Sequence, residues 1–263
     1  MTPLPTVTAS RNKCIRRCPR EHQFAYILRR RPIETAEDLA FGSLVHKALE
    51  AYLRAMQRGE LFPVDAALGA IENTSVESFL RAKARAMIRG YVTRWSVEDL
   101  KNWTVLSVER RFGPVANPGW LGIEHIPLLL DGKLDGIVRD LRTGEVFVLE
   151  HKTSSEDVAA GEPFWKRLRL DSQASIYYDG AAALGYKISG LIYDVLRKPG
   201  SRPLKATPVD KRRYRKADGH LYDGQRENDE APAEYEARCL EEIAAAPSDF
   251  YARGVVVRLA GEL

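Results

Sequence analysis

The apolar residues between positions 41 and 56 recur with the spacing of a helix that buries one face. In "FGSLVHKALEAYLRAM" they fall at the intervals i, i+3, i+4 and i+7, which line one side of an α-helix. These residues are Phe41, Leu44, Val45, Ala48, Leu49, Tyr52, Leu53 and Met56. We predict a helix here that stops at Gly59, and a second helical region over about 64 to 94.

From Trp103 onward the apolar residues alternate with polar ones, which is the period of a β-strand. Four segments predict strands: "WTVLSVERRF", "IPLLLDGKLDGIV", "EVFVLEHKT" and "KISGLIYDVL". A turn around Arg142, Thr143 and Gly144 joins the second segment to the third. A polar loop then leads to a helix over "DSQASIYYDGAAALG", and the acidic "GQRENDEAPAEYEARCLEEIAAA" predicts a closing helix.

This order of elements predicts one α/β domain over residues 1–263, with an N-terminal helical part. We expect residues 1–10 to be disordered and 11–100 to be helical. Residues 101–196 should form the catalytic core, and 197–263 should hold a basic loop and the closing helix. Two segments, 11–31 and 197–216, are strongly basic, although the formal net charge of +4 only permits a nucleic-acid partner.

The composition indicates a cytoplasmic protein that does not enter a membrane. An apolar share of 44% and a charged share of 29% are typical of a globular protein. The start, "MTPLPTVTAS", lacks the features of a signal peptide, and no apolar run approaches the roughly 18 residues that span a bilayer. Three cysteines are too few for a disulfide framework, which favours a reducing compartment.

Charged residues interrupt the predicted hairpin where its apolar residues end. Because side chains alternate along a strand, Glu150 and Lys152 share one face, and Asp135 meets them if the two strands' faces match. One interpretation is a cross-strand ion pair on a solvated face. The other is a site for a hard cation such as Mg²⁺ or Mn²⁺, with the amine beside a bound water. The spacing alone does not decide between them.

The segment "DGKLDGIV" followed by "VLEHKT" resembles the core of the PD-(D/E)XK nuclease superfamily, which carries Gly-x-x-Asp on one strand and Glu-x-Lys on the next. Gly132, Asp135, Glu150 and Lys152 match these positions. Three further elements resemble the RecB-like branch, and all five follow its order over residues 10–177. They are Ser10 with Cys18–Pro19, Gly42–His46 ("GSLVH") and Gln173–Tyr177 ("QASIY").

The resemblance implies a restriction-endonuclease-like core, with a central mixed β-sheet flanked by helices. It also implies that Asp135 and Glu150 hold Mg²⁺ or Mn²⁺. His46 would be a further ligand, or a partner of the ligands. The backbone carbonyl of His151 would also bind the metal, while the His151 side chain, on the opposite strand face, should be packed.

The same resemblance implies roles for three more residues. Lys152 would orient or activate the attacking water, or stabilise charge on the phosphate, and Gln173 would lie near the metal. Tyr177 would contact the substrate backbone. Two neighbouring acids are expected to have no direct role: Glu50 as a solvated side chain, and Asp131 because the family pattern selects Asp135.

The implied activity is divalent-metal-dependent hydrolysis of DNA phosphodiester bonds. Since the Gln-x-x-x-Tyr branch mostly acts on ends, we expect an exonuclease of phage-type recombination or repair, acting on single- or double-stranded ends. A homo-oligomer or a recombination partner protein is compatible with the sequence. Arg17, Arg20 and Lys198 are candidate substrate contacts, since phosphate binding draws on such cations. Candidates for stacking on unpaired bases are Phe24, Tyr26, Trp165 and Tyr214.

Two alternatives stay open. A module of the same fold could bind nucleic acid without cleaving it, although the intact charged trio argues against this. Some RecB-like nucleases, which act in CRISPR systems or with a helicase, hold an iron–sulfur cluster on one early and three late cysteines. This chain has Cys14 and Cys18 early but only Cys239 late, so one ligand would be missing and no cluster is expected.

Overall fold

A mixed β-sheet runs through the middle of the molecule. The computed structural model describes residues 6–30, 32, 36–116 and 129–258. The strands within these residues are β1 (Thr6–Val7), β2 (Trp103–Ala116), β3 (Leu129–Asp140), β4 (Val146–Ser154), β5 (Gly190–Arg197) and β6 (Tyr251–Val256). Their order is β1, β3, β4, β5, β6, and β2 also pairs with β3. The β4–β5 pair is parallel, whereas β2–β3, β3–β4 and β5–β6 are antiparallel.

One edge of β3 is shared by two strands that leave a gap between them. Because β2 pairs with β3 from Leu129 to Asp140, it occupies the opposite edge along that whole length. On the shared edge, β4 pairs with β3 only from Gly136 to Arg139, and β1 pairs only with Leu129 and Leu130. Among the strands that the structure describes, none therefore pairs with residues 131–135 on this edge, and Asp135 lies where β4 separates from β3.

Helices cover both faces of the sheet. They are α1 (Ala9–Arg17), α2 (Pro19–His22), α3 (Glu37–Gln57), α4 (Pro63–Glu72), α5 (Ser78–Asn102), α6 (Pro163–Arg169), α7 (Ser172–Ala183), α8 (Pro232–Ala245) and α9 (Pro247–Phe250). Helices α3, α4, α5 and α8 pack with Leu149 and Ile192 on one face, and α6 and α7 pack with Ile137 and Val148 on the other. The predicted α/β fold, with a mixed sheet flanked by helices, is confirmed. In the ranges that the structure describes, no helix is long and apolar enough to cross a membrane.

The helix predicted from the 41–56 periodicity is present as α3. It begins at Glu37 and ends at Gln57, and the left-handed backbone of Gly59 (φ 74°) follows its end. Its predicted apolar face is buried, apart from Met56, which is only partly buried. Full burial stabilises each Leu or Val by about 1.5–3 kcal/mol, so this face anchors the helix to the sheet.

The predicted hairpin and its turn are also present. Gly144 has a φ of 76°, a left-handed conformation that favours glycine, and its N–H donates to the Asp140 carbonyl at 2.8 Å. Residues 126–128 of the second predicted strand lie outside the described residues, so β3 is described only from Leu129.

Three parts of the chain differ from the sequence predictions. Residues 6–10 were expected to be disordered, but they form β1 and the start of α1. Thr8 caps α1, because its side chain accepts a hydrogen bond from the Arg11 N–H at 3.1 Å. Residues 1–5 lie outside the described residues. The polar loop after β4 contains α6, which buries Trp165 and Leu168 from the same helix face. The region predicted only as a basic loop and a closing helix also contains the edge strand β6.

The second predicted helical region is two helices. Residues 73–77 separate α4 from α5, and the Glu77 carboxylate begins α5 by accepting from the backbone N–H groups of Phe79 and Leu80 at 2.9 and 3.0 Å. The acidic C-terminal segment is helical only from Pro232, where a proline at the first turn suits a helix start.

Candidate active site

The site lies where β3 and β4 separate, and its two carboxylates are buried there. Asp135 of β3 is 9% exposed and Glu150 of β4 is 3% exposed. Their strands are still paired at Gly136, one residue after Asp135, and at Leu149, one residue before Glu150. The His151 N–H turns toward the gap and donates to Oδ2 of Asp135 at 3.0 Å. A backbone bond thus fixes the Asp135 carboxylate beside the end of β4.

A chain of hydrogen bonds joins Glu150 to α7. Nζ of Lys152 donates to Oε1 of Glu150 at 2.6 Å and to Oε1 of Gln173 at 2.8 Å. Nε2 of Gln173 donates to the same Glu150 oxygen at 2.8 Å and to Oη of Tyr177 at 2.8 Å. Gln173 lies at the start of α7, where the Asp171 side chain caps the helix by accepting from the Gln173 N–H at 3.0 Å. Four predicted site residues are therefore joined by hydrogen bonds, and we call them the bonded group: Glu150, Lys152, Gln173 and Tyr177.

Phe112 of β2 explains the glycine of the Gly-x-x-Asp element. A Cβ at Gly132 would lie 2.5 Å from the Phe112 ring, and a Cβ at Gly180 of α7 would also lie 2.5 Å from it. Only glycine leaves room for the ring at both positions. The ring also meets Tyr177 edge to face, with centroids 6.2 Å apart. Gly132 thus contributes by seating the aromatic ring on which Tyr177 rests.

His46 of α3 reaches the site from the other helical layer. Its Nδ1 lies 3.4 Å from Oδ2 of Asp135, so the structure brings it to the predicted carboxylate. Gly42, one turn earlier, packs against Thr153, since a Cβ there would lie 3.4 Å from the Thr153 Oγ1. The Gly-x-x-x-His element therefore holds α3 close to β4.

The side chain of His151 is packed on the opposite face, as predicted. It is 2% exposed, with Nδ1 3.7 Å from Oδ2 of Asp135 and Nε2 3.8 Å from Oδ2 of Asp194. Beyond it, Oδ2 of Asp194 accepts from the Tyr91 hydroxyl at 2.6 Å and from Nη2 of Arg253 at 3.0 Å. This arrangement was not predicted from the sequence. Its one local signal is the aspartate within the apolar run "GLIYDVL".

Burial and charge push the pKa values of the two carboxylates apart. Burial, followed by the charge of Asp135, raises the pKa of Glu150 to about 7, although Lys152 opposes the rise. Burial would raise the pKa of Asp135 as well, but the hydrogen bond and charge of His46 outweigh it and lower that pKa to about 2. Glu150 is therefore the carboxylate whose charge is less completely compensated, although Lys152 bonds one of its oxygens.

The three basic groups of the site respond to the same carboxylates. Burial lowers the pKa of Lys152, but the charge of Glu150 and its hydrogen bond outweigh this and leave the pKa raised. Burial also lowers the pKa of His46, but the hydrogen bond to Asp135 outweighs burial and leaves that pKa raised. For His151 burial dominates, and its pKa is lowered. Lys152 is thus an ammonium group at neutral pH, while the buried His151 is neutral.

The donors around Glu150 fit a divalent cation. Oε2 of Glu150 is buried without a hydrogen-bond partner, which is costly for a carboxylate oxygen unless a cation compensates it. In the described part of the chain, no three His, Cys, Asp or Glu side chains group as a ready metal site. Two carboxylates and a backbone carbonyl are oxygen donors of the kind that Mg²⁺ and Mn²⁺ prefer, with water completing the set. Asp135, Glu150 and the His151 carbonyl could supply them.

Three grooves meet at the site. A groove of about 660 Å³ lies between α1, α6 and the end of β4, and includes Lys152. A second, of about 550 Å³, is lined by His46, Asp135 and Lys152, among others. A third, of about 500 Å³, extends from Asp135 past Tyr177 toward the N-terminus of α1. The bonded group is therefore accessible from several directions.

The predicted substrate cations are not equally placed. Arg17 lines the 660 Å³ groove and pairs with Glu21. Arg20 bonds to Oε1 of Gln23 at 2.8 Å and lies over Phe24, and it lines none of the three grooves. Nζ of Lys198 is bound to Oδ1 of Asp38 at 2.6 Å, and its side chain is only 15% exposed. Of these three predicted cations, Arg17 alone thus lines one of the three grooves.

Several other residues now have structural roles. Asp131 pairs with Arg111 at 3.2 Å and Glu50 pairs with Arg54 at 2.9 Å, so each has a partner away from the bonded group. Trp165, a predicted stacking residue, is buried and donates to the Val158 carbonyl at 2.8 Å, so that prediction is wrong for it.

The three cysteines lie in different settings, and each is free. Cys14 is buried in α1, and Cys18 caps α2 by accepting from the Glu21 N–H at 3.5 Å. Cys239 is buried in the core formed by α5 and α8. Since Cys239 belongs to that core, it serves packing there.

Comparison with known proteins agrees with this geometry. The sequence model of the PD-(D/E)XK nuclease superfamily matches residues 6–254. The chain therefore belongs to this superfamily, and its sheet with flanking helices is a restriction-endonuclease-like core. Among curated proteins, none matches the sequence. One solved structure, described as "Crystal structure of SSO0001", shares 12% identity over 93% of this chain and 78% of that chain, and its TM-score of 0.23 is too low to carry an argument.

Proposed function

We propose that this member of the PD-(D/E)XK superfamily is a divalent-metal-dependent deoxyribonuclease of the RecB-like branch, acting as an exonuclease on DNA ends. One observation carries the proposal. Lys152 bridges Glu150 and Gln173, while the other oxygen of Glu150 stays buried and unpartnered beside Asp135. Oδ1 of Asp194, in the ion pair with Arg253, is also buried without a partner, but the Glu150 oxygen belongs to a site whose Asp135 and Lys152 line open grooves.

Each residue of the group has a distinct role in hydrolysis. Asp135, Glu150 and the His151 carbonyl would hold the metal, and His46 would support Asp135 or join the ligands. Bound Mg²⁺ or Mn²⁺ supplies a Lewis acid for a phosphoryl oxygen and a water of lowered pKa. Since Lys152 is an ammonium group, it donates to the attacking water and to the developing negative charge. It does not itself remove the proton.

Gln173 and Tyr177 keep the reacting groups in place. Gln173 accepts from Lys152 and donates to Glu150, so it fixes the distance between the amine and the carboxylate. The hydroxyl of Tyr177 accepts from Gln173 and lies beside the 500 Å³ groove, where it can meet the substrate backbone. In the reaction the water oxygen would bond to phosphorus as a phosphorus–sugar oxygen bond breaks. The attacking water would lose its proton to solvent, and the leaving sugar oxygen would take a proton from solvent.

A digestion panel tests the proposal. Linear, covalently closed circular, single-stranded and double-stranded DNA, with either end labelled, would be incubated with Mg²⁺, Mn²⁺ or a chelator. We expect linear DNA to be degraded from an end with either metal, and closed circles to stay intact. Nicking of circles at the same rate would contradict the exonuclease assignment. No cleavage under any condition would contradict nuclease action.

A further inference from the structure

The 660 Å³ groove beside Lys152 is larger than the bonded group requires. We define the α1–α6 groove by Lys13, Arg16 and Arg17 of α1, Phe164 and Arg167 of α6, and Lys152 of β4. Its volume falls within the roughly 300–1,000 Å³ of small-ligand sites. It can therefore take a nucleotide base with its phosphates.

The α1 wall of this groove carries positive charge without compensation. Lys13 and Arg16 are exposed, and among the described residues neither forms an ion pair or a side-chain hydrogen bond. The two acids along the groove are already engaged, since Glu156 pairs with Arg167 and Asp171 caps α7. Lys13 and Arg16 are thus free to bind anions.

The opposite wall presents an aromatic ring in a fixed position. Phe164 is partly exposed and meets Trp165 edge to face, with ring centroids 5.6 Å apart. The buried Trp165 is itself held by its bond to the Val158 carbonyl. The Arg167 guanidinium lies 6.0 Å from the Phe164 ring centroid, so a cation accompanies the ring.

The α1 wall is also held in place. The Asn12 amide donates to Oγ of Ser172 at 2.9 Å, which ties α1 to the start of α7. Ser172 precedes Gln173, so α1 is attached to the helix that carries a member of the bonded group. The groove is also continuous with the site, because Lys152 lines it.

We propose that the α1–α6 groove binds the single strand of nucleic acid next to the scissile phosphate. Lys13 and Arg16 hold its phosphates, and a base stacks on Phe164. Free cations along one wall and an aromatic ring on the other are the combination found in single-strand sites. This inference rests on the proposed function, which it deepens by naming an unpaired strand as the substrate form at the site.

Binding without cleavage tests this directly. Fluorescence anisotropy would measure the affinity of a labelled single-stranded oligonucleotide, and of the duplex of the same sequence, over a salt series with a chelator. The variants are Lys13→Ala with Arg16→Ala, and Phe164→Leu, which keeps an apolar side chain but has no ring. The charge-matched control is Lys101→Ala with Lys187→Ala. Both control lysines are exposed and lie near Asp140 and Phe147, at the end of the hairpin away from Glu150.

We expect the double variant Lys13→Ala with Arg16→Ala to bind the single strand on the order of tenfold more weakly than the wild type. The slope of log affinity against log salt should fall by about 1.4, because two phosphate contacts are lost. Phe164→Leu should weaken single-strand binding at least about fivefold with an unchanged salt slope. The duplex should lose less in both variants, and the control should leave both affinities unchanged.

Equal losses in the groove variants and the control, or equal losses for duplex and single strand, would overturn the inference. The cleavage rate of Lys152→Ala tests the proposed function separately from the groove. If Lys152→Ala cleaves DNA as fast as the wild type, the nuclease mechanism fails whatever the groove binds. If Lys152→Ala is inactive while the groove variants bind the single strand normally, only the groove assignment fails.

Discussion

Two pairs of carboxylates are buried on either side of His151, and they have different roles: Asp135 with Glu150 on β3 and β4, and Asp99 with Asp194 on α5 and β5. Asp135 and Glu150 line or adjoin the grooves, whereas Asp99 and Asp194 are 2% and 0% exposed. Each pair is accompanied by one strongly basic side chain. Arg253 bonds both acids of its pair, at 2.8 Å to Oδ2 of Asp99 and at 3.0 Å to Oδ2 of Asp194.

Lys152 bonds only one acid of its pair, Glu150. Asp135 takes its hydrogen bonds from histidine groups instead, and Glu150 keeps a buried oxygen without a partner. Buried carboxylates alone therefore do not mark a metal site. An unpartnered buried oxygen does not mark one either, since Oδ1 of Asp194 also has no hydrogen-bond partner. The Asp135–Glu150 pair differs because Lys152 bonds one of its two acids, and because Asp135 and Lys152 line open grooves. Tyr91, Asp99, Asp194 and Arg253 form what we call the Arg253 network, and we assign it to the scaffold. We assign the bonded group and Asp135 to the chemistry.

Arg253→Ala should have the largest effect on stability. It leaves Asp99 and Asp194 buried without their cation, so the free energy of unfolding should fall by about 3–5 kcal/mol. Urea denaturation measures this loss. Arg111→Ala is the control, because Arg111 pairs with Asp131 through a side chain that is 74% exposed. That surface pair should be worth about 1 kcal/mol or less. Similar losses in both variants would contradict the scaffold assignment.

Asp135→Asn should have the largest effect on activity. Removing one charged metal donor should weaken Mn²⁺ binding and slow cleavage by at least about a hundredfold, since metal polarisation contributes several kcal/mol. Calorimetry and single-turnover cleavage measure the two effects. Asp131→Asn is the matched control on the same strand, and it should retain both properties. If Asp131→Asn were the more damaging change, the ligand assignment would be wrong.

Glu150→Gln should change how stability depends on pH. The pKa of Glu150 is raised to about 7 in the folded protein, so its contribution is complete below its ordinary value of 4.5. That contribution is lost as the pH rises through about 7. With a chelator present, the wild type should lose about 3 kcal/mol of stability over this window. The raised pKa of His46 acts in the same direction.

Glu150→Gln should therefore lose less stability with rising pH than the wild type, and should be the more stable protein near pH 8. This is the opposite of the Arg253→Ala outcome, because this change removes a buried charge that Lys152 compensates only in part. Thermal unfolding over a pH series with a chelator measures it. Parallel pH curves for variant and wild type would show that Glu150 is compensated by its neighbours.

Tyr177→Phe should have the smallest effect. It removes one hydrogen bond to Gln173, worth about 0.5–1.5 kcal/mol, so cleavage should slow by about tenfold or less. Tyr178→Phe is the control on the next residue. The Tyr178 hydroxyl donates to the Ser189 carbonyl at 3.2 Å, away from the bonded group, and its loss should leave cleavage unchanged. Equal rates for both variants would remove Tyr177 from the site.

The contrast between the two pairs also shows what the sequence could predict. The helix at 41–56 and the hairpin were predictable because their signals are local periodicities. Lys152 and Gln173 were identified because a resemblance linked positions 21 residues apart, which the structure brings into a hydrogen bond. The convergence of the predicted residues was therefore predictable, while their hydrogen bonds were not.

The Arg253 network was not predictable, since its members come from three distant elements. Arg253 and Asp99 are 154 residues apart, and Arg253 lies on a strand that the sequence analysis missed. Lys198 shows the same limit. Its basic segment suggested a phosphate contact, but its partner Asp38 is 160 residues away and no local pattern indicates that pair.

The rate of metal-dependent cleavage by Lys152→Ala tests the central claim most directly. Single-turnover hydrolysis of end-labelled linear DNA with Mn²⁺ would be compared for the wild type, Lys152→Ala and the control Lys101→Ala. Loss of the donor to the reacting phosphate should slow Lys152→Ala by about 10²–10³-fold, with Lys101→Ala unchanged. Equal rates for Lys152→Ala and the wild type would contradict the account.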